Sequence, residues 1–167
     1  MSPDKEIYYE NATRKLLATI DKMGLQQTER LRAKNLVLLF RDSFKLPEIR
    51  QKTFQVPNEE YVDCSTYDSD NFCRVASLNF STMMGGTPNW QVRYIGDLWT
   101  YGPHHYLMHV PSRTILDLTY DQYTEHGLEI PYDRGHPIPF DFNKDPQAQN
   151  FAAALNLASL QTNKQKN

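Results

Sequence analysis

From Asn89 the apolar pattern of the chain changes period, and that change limits the fold more than any other feature. The segments WQVRYIG (90–96), DLWTY (97–101), HYLMHV (105–110) and RTILDLT (113–119) alternate or are rich in β-formers. Gly96-Asp97, Gly102-Pro103 and Pro111-Ser112 separate them, so the spacing predicts a small antiparallel meander. Upstream the period is helical. Ile7, Leu16, Leu17, Ile20 and Met23 share helical spacing over 4–23, with Gly24 as a stop. A second helix over 26–44 carries Leu31, Leu38 and the run Leu36 to Phe40, a face broad enough to be mostly buried, and Pro47 ends it. Residues 1–45 thus read as a helical hairpin on the later sheet.

Residues 46–63 hold two prolines and scattered charges and read as a surface connection with little regular structure. After the polar loop Ser65 to Asn71, Cys73, Ala76, Phe80 and Met83 fall on one helical face. Asp70 or Asn71 is the expected N-cap, and Gly85-Gly86 the stop. Residues 120–126 read as a helical turn and 127–146 as an ordered irregular segment. The last helix, 146–160, places Phe151, Ala154, Leu155 and Ala158 on one side, and 161–167 form a frayed polar tail. The fold class expected is α+β. The 167 residues, 40% hydrophobic, suit one domain with a core.

Composition narrows the partners. Net charge is −2 with no basic block, which argues against nucleic acid. No apolar run approaches the roughly 18–20 residues of a membrane span, and the N-terminus has no signal core. Two cysteines cannot form a disulfide scaffold and fit a reduced, cytoplasmic chain. Export by a signal-peptide-independent route stays open.

The stretch Pro103 to Tyr123 carries the chemistry. His105 opens one strand and Asp117 lies in the next, so a two-strand ladder can set an imidazole beside a carboxylate. That pairing fixes the tautomer and orientation of a general base. His104 and His105 are neighbours and point to opposite faces. His105, which shares a face with Leu107 and His109, is the preferred base. Asp117, between Leu116 and Leu118, needs a partner in so apolar a strand, and Thr119 on its face is expected to orient it. Asp121 is the weaker substitute, in the following turn. Cys73, at the first turn of its helix, faces unpaired N–H groups and the positive dipole end. With a nearby imidazolium these lower a thiol pKa into the range of roughly 3.5–7.5. The same N–H groups can hold an oxyanion.

Cys64 precedes no apolar helix and is the lesser candidate, although a Cys64–Cys73 bridge would silence the site. Trp90, Trp99 and Tyr101 are either core or the wall of a cleft. His109 either supports His105 or is polar packing, and His126 and His136 carry no assignment. A metal site from His105, His109 and Asp117 is disfavoured, because positions i and i+4 on a strand lie some 13 Å apart. No cofactor is implied.

At these residues a resemblance can be stated. The run HHYLMHV…TILDLTYDQY resembles the His and Asp strands of the papain-like and transglutaminase-like thiol enzymes. Those strands show a His, an apolar or aromatic residue two on, then an L-D-x-T-x-x-Q-aromatic string. His105, Leu107, Leu116 to Thr119, Gln122 and Tyr123 match it, and Asn71-Phe72-Cys73 is similar to the family's approach to its Cys helix. The resemblance covers residues 65–123, the expected catalytic core. It implies Cys73 as nucleophile, His105 as base and acid, and Asp117 as orienting residue. It implies a bacterial amidase, deamidase, transglutaminase or protease acting on a protein or peptide, in the manner of a toxin or effector. Two departures stand out: Arg74 follows Cys73 in place of the family's Gly or Trp, and Tyr67 stands where a Gln would supply an oxyanion donor. The Cys73 N–H and a second donor such as Asn71 would then hold the oxyanion. The alternative is a non-catalytic binding module on the same fold.

Overall fold

The computed structural model describes residues 3–55, 71–96, 98 and 102–157. Those residues form an α+β fold with six helices and a four-stranded antiparallel sheet. In chain order, α1 is Pro3–Asp21, α2 Gln27–Phe44, α3 Pro47–Phe54 and α4 Cys73–Met83. The strands β1 (Trp90–Ile95), β2 (His104–His109) and β3 (Thr114–Leu116) follow. Then come α5 (Asp121–Thr124), β4 (His136–Pro137) and α6 (Pro146–Ala154). The sheet order is β3-β2-β1-β4.

Strand alternation divides the sheet into two differently covered faces. Trp90, Val92, Leu107 and Leu116 join the main core with Phe40 and Phe44 of α2, Val75 and Phe80 of α4 and Phe151 of α6. Ring contacts tie this layer together. Phe40 meets Phe151 edge-on at 5.2 Å, Phe44 stacks on Phe72 at 4.6 Å, and Phe80 meets Trp90 at 5.0 Å. The opposite face, with Ile95 and Tyr106, is covered by Leu98, Tyr123 and Ile130.

Several expectations need correction. Pro47 does not only end α2; it sits at the first position of α3, where its missing N–H costs nothing. The segment read as irregular therefore holds a helix, with Ile49, Arg50 and Thr53 buried. Leu31 and Leu38 are exposed, at 55% and 41%. The buried face of α2 is instead Ala33, Leu36, Val37, Phe40, Arg41 and Phe44. The cap of α4 is Phe72, with no side-chain hydrogen bond, and not Asn71, which stands just outside with φ 65°. Within 97–101 only Leu98 is described, and it is not in a strand. Asp70, Trp99, Tyr101, Cys64, Ala158 and the tail 161–167 lie outside the described residues. The strand β4 was not foreseen; two residues carry no period, and its Pro137 suits an edge strand.

Among the described residues no helix is long and apolar enough to cross a membrane.

Candidate active site

The hairpin between β2 and β3 sets the geometry of the site. Arg113 N–H donates to the Val110 carbonyl at 3.3 Å, so Pro111 and Ser112 are the central residues of a tight turn. The turn gives the register Leu107↔Leu116, Met108↔Ile115 and His109↔Thr114. Carried one step further, that register sets Asp117 opposite Tyr106. Asp117 therefore shares the face of Tyr106 and His104, two positions apart on one strand, and not the face of His105.

The contacts agree. His104 Nε2 and Asp117 Oδ2 are 2.6 Å apart, and both side chains are buried. The expected His105–Asp117 pair is thus corrected to His104–Asp117. The error was one of parity, since a shift of one position moves a side chain to the other face. His105 lies on the helix-covered face with Leu107, its ring edge-on to Tyr94 at 5.0 Å.

Asp117 accepts two further hydrogen bonds. Thr119 N–H donates to Oδ1 at 3.1 Å, and the Tyr132 hydroxyl donates to Oδ2 at 2.8 Å. Thr119 thus orients the carboxylate through its backbone, while its hydroxyl accepts from Gln122 Nε2 at 3.0 Å. Burial, and then the facing Asp117 carboxylate, push the Tyr132 phenol far above its usual range, so it remains a donor. The Tyr132 carbonyl accepts from the Tyr106 hydroxyl at 2.9 Å, and Arg93 binds the Gly135 carbonyl nearby. Gly135 admits no larger residue, because a Cβ there would overlap the Tyr106 ring and hydroxyl.

Cys73 is the first residue of α4 and is half-buried. The first bond of the helical ladder runs from Ala76 N–H to the Phe72 carbonyl, which leaves the Cys73, Arg74 and Val75 N–H groups outside the ladder. Arg74 is held by Asp145 and Gln147, joining the start of α4 to that of α6. Burial raises the Cys73 pKa, but the neighbouring His104 and His105 imidazoles outweigh it, and the thiol falls to about 6. Burial likewise lowers His104; the Asp117 charge and hydrogen bond and the adjacent Cys73 reverse this and lift it to about 10. Between those values the favoured state is thiolate with imidazolium. The Nδ1 atoms of both His104 and His105 are buried, with no hydrogen-bond partner among the described residues.

The remaining candidates divide simply. Asp121 is not at the site; it forms a buried bidentate pair with Arg41 of α2 at 2.7 and 3.1 Å. His109 is packing: its ring lies 4.8 Å from Trp90, and its Nδ1 is 2.7 Å from the Ser112 hydroxyl. Trp90 itself is core. Asn71 is exposed, two residues before Cys73. Among the described residues no three His, Cys, Asp or Glu side chains are grouped to hold a metal. Sequence reasoning missed Tyr132 and Arg41. Tyr132 lies in a Pro-rich stretch with no local signal, whereas the Pro111-Ser112 turn could have identified His104 by counting outward from it.

No family model, curated protein or solved structure matches the chain.

Proposed function

We propose that the chain is a thiol-dependent acyl-transfer enzyme acting on an amide of a protein or peptide through a thioester on Cys73. The observation that carries this reading is the buried 2.6 Å His104–Asp117 pair, whose imidazole neighbours the Cys73 thiol and lowers its pKa. Cys73 is the nucleophile, His104 the base and acid, and Asp117 the orienting residue, so the papain-like resemblance is kept with the histidine changed. Thr119 and Tyr132 hold Asp117, and no cofactor is called upon.

The chemistry follows from the charge state. Cys73 thiolate attacks the carbonyl carbon, and the negative charge moves to the oxygen. The N–H groups at the start of α4, which lie outside its helical ladder, stabilise that oxygen, in a setting where preorganised donors count heavily. The His104 imidazolium then protonates the departing nitrogen, and a thioester remains. Water completes hydrolysis, or an amine completes transfer. Peptide cleavage, side-chain glutamine deamidation and transglutamination share these steps and differ in substrate placement and acceptor.

The test is a glutamine-containing peptide library incubated with an amine probe and followed by mass spectrometry. The expected result is cleavage, deamidation or amine incorporation that disappears in Cys73→Ser. No mass change in any peptide, or one that persists in Cys73→Ser, would overturn the assignment.

A further inference from the structure

We infer that His105 is the side-chain donor of the oxyanion hole, a second imidazole at the Cys73 sulfur distinct from the base. The inference rests on the thiol-enzyme reading and deepens it. His105 is only 7% exposed, and its buried Nδ1 has no hydrogen-bond partner among the described residues. A buried, unpaired ring nitrogen costs free energy, and no contact among the described residues offsets it. The ring meets Tyr94 only edge-on, and the Asp117 carboxylate belongs to the other face of the hairpin. His104 already has the carboxylate partner that a base requires. By strand parity His105 nevertheless stands on the sheet face against which α4, the Cys73 helix, packs, and its imidazole neighbours the Cys73 thiol alongside that of His104.

That position suits the developing oxyanion. The oxygen of a carbonyl under attack is two bonds from the sulfur, so a donor that reaches the sulfur also reaches that oxygen. When the sulfur lone pair forms the S–C bond, the C=O π pair moves onto oxygen. The His105 N–H hydrogen-bonds that oxygen and keeps its proton. As the pair returns, the C–N bond breaks, and the proton for the leaving nitrogen comes from the His104 imidazolium. The products are the thioester, the amine and neutral His104. His105 thereby fills the place for which Tyr67 supplies no amide donor and Asn71, exposed outside the helix, is poorly set.

Two reactions of the Cys64→Ser protein separate the roles. Acylation by 4-nitrophenyl acetate passes through an oxyanion, whereas alkylation by iodoacetamide reports only the thiolate. His105→Leu should slow acylation by about 10²-fold to 10³-fold, the usual effect of one lost donor. It should leave alkylation at pH 8 within about twofold, since the thiol is ionised there with or without it. His105→Gln, which keeps an N–H donor, should recover at least about tenfold of the acylation. His104→Gln should slow both reactions. If His105→Leu unfolds by circular dichroism, His105→Met replaces it against His105→Gln. Unchanged acylation in the apolar variant, an equal fall in both reactions, or no rescue by Gln would overturn the inference. Failure of the underlying reading looks different: the parent itself would then be alkylated at pH 6 no faster than free cysteine.

Discussion

Asp117 receives three hydrogen bonds, and each arrives from a different part of the chain. His104 comes from the neighbouring strand, the Thr119 N–H from the next turn, and the Tyr132 hydroxyl from the far covering segment. Such a carboxylate is over-determined in position, which a base-orienting group requires. Removing one donor should be felt in stability. Tyr132→Phe should lower the unfolding free energy by about 1.5–3 kcal/mol, the range for a hydrogen bond to a charged group, read from urea unfolding. Asp117→Asn should act on the thiol instead. Without the carboxylate the His104 pKa falls, the imidazolium is lost near neutrality, and the Cys73 midpoint rises from about 6 toward about 8.5. Ellman's reagent followed against pH would register that rise. At this scale the sequence made Cys73 and Asp117 legible through the helix start and the apolar strand. The choice between His104 and His105 was not legible from strand period, because either parity gives an alternating strand; only the turn decides it. Tyr132 has no local signature, since its partner lies fifteen residues away.

The helices and the meander were readable because their periods are long enough to distinguish 3.6 from 2. The helix that escaped, α3, starts with the proline that ended α2. One residue serves as a stop for one helix and a start for the next, so the punctuation alone was ambiguous. Arg41 escaped for a related reason. It follows an apolar run and reads as the polar edge of α2, yet it is 1% exposed and joins α2 to α5. Its guanidinium also donates to the Leu118 carbonyl at 3.2 Å, one residue after Asp117. Burial disfavours the Arg41 charge and Asp121 restores it, leaving the group firmly cationic. Arg41→Met strands the Asp121 charge in the interior and should cost about 3–5 kcal/mol in chemical denaturation. The paired change Arg41→Met with Asp121→Leu should recover most of that loss, because a buried apolar pair needs no counter-charge.

In the whole molecule, the sheet brings the pieces of the site into one place. One face is sealed by α2, α4 and α6 around the phenylalanine cluster, and the other by the stretch from Tyr120 to Gly135. The helix layer delivers Cys73, and the opposite layer delivers Tyr132 to Asp117. Gly135→Ala should therefore weaken the site from a distance. It would force the second layer away from Tyr106 and lower the melting temperature measured by calorimetry. The α+β class was legible from the order of helical and strand periods, whereas the covering of the second face was not, because residues 127–146 carry no period. The most direct test of the central claim is the pH dependence of Cys73 alkylation by iodoacetamide in the Cys64→Ser protein. A thiol paired with the carboxylate-held His104 should react with a midpoint near pH 6 and keep a level rate up to about pH 10. A single rise centred at about 8.5, the value of an ordinary thiol, would contradict it.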